Sequence, residues 1–166
     1  MKQSGCWKVA IAPEVGDEES LRYLKKGFTL EQCRDVARWC KELDIAYYAF
    51  FLMGLPFQEV HHLQAISNLA IELDPLLLDI SRYVAMPGTE LYSETSVQQM
   101  GSQSSYYFEK TDREDEDRIY RATYFRFYLR FQKILQIIRG IGFLSFLKLS
   151  LYAVRLFFFS SKGREK

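Results

Sequence analysis

A single acidic residue and three Gly/Pro turns are the parts of this 166-residue chain most able to do chemistry. Glu14 lies in Ala12-Pro13-Glu14-Val15-Gly16; the turns continue with Gly54-Leu55-Pro56-Phe57-Gln58-Glu59 and Met86-Pro87-Gly88-Thr89. Glycine lets a ligand come close to backbone, and a carboxylate accepts hydrogen bonds from hydroxyls or amines. Taken singly, such turns are ordinary punctuation. Three in succession after three apolar segments suit a small ligand bearing hydroxyls, an amine and a planar base. Other candidates are weaker. Cys6, Cys33 and Cys40 form neither a CxxC pair nor a CxxxCxxC motif. Cys33 and Cys40 fall two helical turns apart on an apolar face, as core thiols do. His61 and His62 are adjacent, so on a helix they point about 100° apart and do not readily share a metal. Tyr47, Tyr48, Phe50 and Phe51 either line a pocket or are simply buried.

The surrounding patterns say what positions these residues. Trp7–Ala12 reads as a strand stopped by Pro13, and Asp17 as the cap of a short helix reaching Lys25. Thr29-Leu30-Glu31-Gln32 is a capping box, followed by Leu30, Cys33, Val36, Ala37, Cys40 and Leu43 at helical spacing. Ala46–Met53 is uninterrupted apolar, which predicts a strand covered on both faces. Val60, Leu63, Ile66, Leu69, Ala70 and Leu73 predict a second amphipathic helix, and Leu76–Ala85 a third strand. The fold class is therefore α/β, a parallel βαβαβ segment of a partial (β/α) barrel followed by C-terminal helices. Three strands do not close a barrel, so an exposed edge wanting more sheet is expected. The parts divide into residues 1–100, a Ser/Gln-rich linker at 101–112 and a basic, aromatic helical tail at 113–166. Within that tail one long helix should run to about Arg139.

Four motifs in order and spacing resemble the second half of the radical SAM barrel, over about residues 3–94. They are Ala12-Pro13-Glu14, Leu24–Gln32 (LKKGFTLEQ), Phe51–Pro56 (FLMGLP) and Met86–Tyr92 (MPGTELY). The likeness is closest to the subfamily whose full-length members carry a cobalamin-binding domain in front. It implies that Glu14 contacts S-adenosylmethionine, and that Gly54, Pro56, Pro87, Gly88 and Thr89 lie beside its methionine and adenine moieties. Val15 stands where Ser is usual, Phe57 where Gly is, and Gln58 where Glu is, which predicts a bulkier, less polar second turn. The family's chemistry needs three cysteines on one loop to hold a [4Fe–4S] cluster, and that loop is not among these residues. The resemblance thus implies a catalytically inactive carboxyl-terminal fragment of a radical SAM enzyme, with no cluster and no catalytic residue of its own and with cobalamin belonging to intact relatives. Its partner would be an N-terminal half encoded upstream. A non-enzymatic membrane-associated or interaction protein derived from a degraded barrel, and a subunit of a split enzyme, are the alternatives.

Net charge splits the chain. Residues 1–112 carry 10 Lys/Arg against 16 Asp/Glu, and 113–166 carry 12 against 5, a step from −6 to +7. The basic end predicts an anionic partner. Ser145, Lys148, Tyr152 and Arg155 form one stripe of an otherwise apolar segment. Lys148 and Arg155, with Lys162 and Arg164 beyond, are candidate membrane-interface residues. The other reading of that segment is a helix packed on protein. Its aromatics follow a helical apolar face and not a groove, so no nucleic acid is expected. Unpaired cysteines, no amino-terminal signal pattern and no bilayer-length apolar run in residues 1–140 fit a cytoplasmic protein, peripheral at the inner face of the membrane.

Overall fold

In the computed structural model the described residues are 1–84, 98–100, 105–107 and 113–141, with Leu144, Leu147, Lys148 and Leu151. Pro87, Gly88 and Thr89, and Arg155, Lys162 and Arg164, lie outside them. The chain divides into two compact units, Met1–Phe127 and Tyr128–Lys166.

The first unit is α/β. A three-residue 3₁₀ turn precedes β1 (Lys8–Glu14), α1 (Glu18–Tyr23), α2 (Leu30–Glu42), β2 (Ala46–Met53), α3 (Val60–Leu73) and β3 (Leu77–Arg82). The sheet order is β1-β2-β3 and both pairings are parallel. Each helix starts where local chemistry says it should. Asp17 accepts from the Ser20 amide at 2.7 Å. Thr29 accepts from the Gln32 amide while Gln32 accepts from the Thr29 amide, completing the capping box. Glu18 also takes the Leu30 amide at 2.8 Å, tying α1 to the start of α2.

Two sequence expectations change on folding. The strand predicted to stop before Pro13 runs on to Glu14, with a register shift between Ile11 and Glu14. Proline has no N–H to give the ladder, so pairing deforms around it. The apolar run of β2 suggests burial on both faces, yet burial alternates: Tyr47, Ala49, Phe51 and Met53 are buried, while Phe50 is 38% exposed. Register places Val9, Ile11, Leu78 and Ile80 on the buried side with them. The crossover helices therefore cover one face. Tyr48, Phe50, Leu77 and Asp79 lie on the other face, where Lys8 Nζ sits 4.8 Å from the Tyr48 ring centroid.

Gly16 is the tightest point of this packing. A Cβ there would lie 2.1 Å from the Ala65 carbonyl carbon, so only glycine lets the loop after β1 touch the backbone of α3.

Beyond β3, Gln98–Met100 (β4), just before the predicted linker, pairs antiparallel with Ser105–Tyr107 (β5) inside it. The tail helix then forms as two, α4 (Arg113–Tyr128) and α5 (Phe131–Ile141), broken at Leu129-Arg130. Ile119, Thr123 and Phe127 are the buried stripe of α4. Its Tyr124 hydroxyl accepts the Ile80 amide at 3.0 Å, so among the described residues a side chain meets the outer edge of β3. In the second unit Lys133 is buried and donates to Gln136 at 2.7 Å. Among the described residues no helix is long and apolar enough to cross a membrane.

Candidate functional site

Parallel strands bring their carboxyl ends to one edge, and the loops leaving that edge are where such folds place ligands. Here the three ends are Glu14, Met53-Gly54 and Arg82.

Glu14 sits at φ 69°, a left-handed conformation that costs a non-glycine residue roughly 1–2 kcal/mol. It is the centre of a three-residue turn closed by the Val15 amide donating to the Pro13 carbonyl at 2.8 Å. Strain of this kind persists where the surroundings over-determine it, and it often marks a functional position. Lys26 Nζ donates to Glu14 Oε1 at 2.8 Å. The lysine reaches back because Lys25, at φ 54°, reverses the chain after α1. The pair is mostly sheltered, the carboxylate side chain being 18% exposed. One ion pair leaves the carboxylate further acceptor capacity.

Gly54 has φ +87° and needs to be glycine. Its amide and that of Leu55 both donate to Gln58 Oε1, at 2.8 and 3.0 Å, with Gln58 buried. The turn is thus closed by its own side chain, and those two amides are engaged within the protein. Phe57 does not fill the strand edge: its ring lies 4.0 Å from Tyr23 and edge-on to His62. His62 Nδ1 accepts the Glu59 amide at 3.1 Å, so the second histidine caps α3. His61 stacks on it at 3.8 Å and pairs with Glu59 at 3.5 Å.

Three residues that spacing did not single out complete the edge. Arg82 closes β3 and is held by Asp117, by Glu116 at 3.7 Å and by the Tyr120 ring at 5.4 Å, all on α4. The Glu116 carboxylate lies on the β2 turn: a Cβ built on Gly54 would be 3.2 Å from Oε2 and 3.3 Å from Oε1. Its side chain is 12% exposed. A lone arginine ending the apolar run LLLDIS was a legible signal. Glu116 and Asp117, 34 and 35 residues further on, read only as an acidic helix start.

The thiols are placed elsewhere. Cys33 and Cys40 are buried along α2, where desolvation pushes both thiols above the usual range. Cys6 Sγ faces the Lys8 carbonyl at 3.6 Å. Among the described residues no group of three or more His, Cys, Asp or Glu is arranged to hold a metal ion. These thiols, two of them core residues on one helix, do not fit an iron–sulfur cluster. Tyr47 is not pocket-lining: its hydroxyl donates to the Leu73 carbonyl in the core, and burial raises its pKa. An open cavity of about 290 Å³ between α2 and α3 is lined by Arg34, Arg38, Lys41 and Glu72 among others. It lies toward the carboxyl ends of those helices and hence at the opposite edge of the sheet from Glu14.

Chemically, the carboxyl-end edge offers a strained, lysine-paired carboxylate on β1 and an arginine–dicarboxylate cluster on β3. Between them is a glycine on which one of those carboxylates rests. Comparison with models of protein families and with curated proteins found no match.

Proposed function

We propose that this chain is a relative of the carboxyl-terminal half of a radical SAM enzyme, presenting a wall for the methionine and adenosine parts of S-adenosylmethionine, and that alone it is catalytically inactive. The observation carrying this reading is Glu14: a carboxylate in a costly left-handed turn at the carboxyl end of a parallel strand, beside the Gly54 turn. Glu14 would accept a hydroxyl or amine of the cofactor while Lys26 holds it in orientation. S-adenosylmethionine supplies the reactive sulfonium; the chain's own part is binding and orientation. Cobalamin belongs, in this proposal, to intact relatives.

Calorimetric titration of the full chain with S-adenosylmethionine tests the wall. Weak binding that Glu14→Ala abolishes is expected; no binding, or binding indifferent to the substitution, overturns it. Anaerobic reconstitution with iron and sulfide tests the inactivity, which 5′-deoxyadenosine formation would refute.

A second reading, association with an anionic membrane surface, is favoured by the second unit. Leu144, Leu147 and Leu151 are 73%, 46% and 63% exposed, at helical spacing beside exposed Lys148. Apolar side chains flanking a lysine on one exposed stripe suit the headgroup boundary at a cytoplasmic face. Flotation with anionic vesicles should require residues 140–166, and equal flotation without them counts against it. A split enzyme, in which a separately encoded N-terminal half completes the sheet, draws on the three parallel strands, too few to close a barrel, and predicts that such a chain co-purifies with this one.

A further inference from the structure

At the carboxyl end of the sheet the Glu116 carboxylate lies against Gly54 and faces Arg82. Three observations converge. Gly54 has no side chain, and a Cβ there would meet both Glu116 oxygens within 3.3 Å, so the carboxylate rests on bare backbone. Arg82, at the end of β3, faces the same carboxylate from 3.7 Å. Asp117 and the Tyr120 ring hold the guanidinium from its other sides, fixing its direction without using all five of its N–H donors. An arginine held by an aromatic ring and one carboxylate keeps donors that a second carboxylate can take, and the planar guanidinium matches carboxylate geometry. Here the second carboxylate is covalently part of α4.

We propose that the Glu116 side chain is a self-occupying lid, that its carboxylate fills the position of a ligand carboxylate, and that a small carboxylate ligand binds Arg82 and the Gly54 platform when that side chain turns away. Asp117 and Tyr120 stay on Arg82 during the exchange, because only the Glu116 side chain moves and the helix that carries all three does not. The lid concerns the same edge as the function proposed above, and a methionine carboxylate is one ligand of the right class. It stands on Gly54, Glu116 and Arg82 with its Asp117 and Tyr120 supports, and does not need Glu14 or any cofactor.

The test is a titration of the isotopically labelled full chain with acetate at constant ionic strength, followed by the amide resonance of Gly54 and the side-chain Nε–H resonance of Arg82. In the unaltered chain both should move little. Glu116→Gln keeps the shape of the lid but removes its charge, and Glu116→Ala empties the seat. Both should show saturable shifts at acetate concentrations at least about fivefold lower, the factor expected when a partly exposed ion pair no longer competes. Adding Arg82→Gln to either should remove the response. Unchanged resonances of Val9 and Ala49 would show that the sheet is intact in each variant. An equal response with and without Glu116, or one that survives Arg82→Gln, overturns the lid. A parallel titration with S-adenosylmethionine separates the two ideas: acetate binding without cofactor binding keeps the lid and removes the cofactor reading, and the reverse removes the lid alone.

Discussion

Gly16 and Gly27 show what a single residue decides. A Cβ on Gly16 would strike the backbone of α3 at 2.1 Å, whereas one on Gly27 meets nothing within 4 Å. Gly16→Ala is therefore expected to lower stability by at least about 2 kcal/mol through forced backbone displacement. Gly27→Ala should stay within ~0.5 kcal/mol; urea midpoints compare the two. Thiol chemistry is a second residue-scale expectation. Burial holds Cys33 and Cys40 protonated above the usual thiol range, while Cys6 lies partly open before β1. Iodoacetamide at pH 8 should label Cys6 first, and Cys33 and Cys40 only in denaturant, as mass spectrometry of timed samples would show. The assignment of Cys33 and Cys40 as core thiols needed only their spacing. The role of Gln58 did not follow from spacing: a buried amide that takes both the Gly54 and Leu55 N–H groups is a fact of the folded turn.

At the scale of elements, periodicity carried most of the information. The capping box at Thr29, the helix Val60–Leu73 and the strand Ala46–Met53 all form where their patterns place them. A continuous apolar strand did not distinguish burial on two faces from burial on one, because Tyr and Phe tolerate both environments. Phe51→Ala should cost about 3–5 kcal/mol as a cavity on the helix-covered face. Phe50→Ser, one residue away on the other face, should cost under about 1 kcal/mol. Thermal denaturation of both variants measures the asymmetry; comparable losses would mean that both faces are buried. Tyr124 makes the other element-scale case. Its hydroxyl accepts the Ile80 amide at the edge of β3, and burial keeps the phenol protonated well above its ordinary range. Tyr124→Phe should cost about 1 kcal/mol and speed hydrogen exchange at Ile80, because a buried amide then lacks its acceptor.

For the whole molecule, the two compact units meet at Phe127–Tyr128, within two residues of the break between α4 and α5. Leu129 is exposed there, and Arg130 follows it. Limited trypsin digestion should cut after Arg130 before it cuts after Arg121 or Arg126 inside α4, as mass spectrometry of timed samples would show. Sequence alone was enough for the α/β class and the parallel order of the strands. Those follow from side-chain periodicity and from the geometry of crossover connections, both of which are local or nearly so. Only tertiary structure decided that β1 bends past Pro13 to strain Glu14, that Lys26 holds its carboxylate, and that Glu116 and Asp117 return to meet Arg82 and Gly54. Those contacts join residues from 12 to 62 positions apart, and no short-range pattern encodes which charged side chain a folded loop brings back to a strand end.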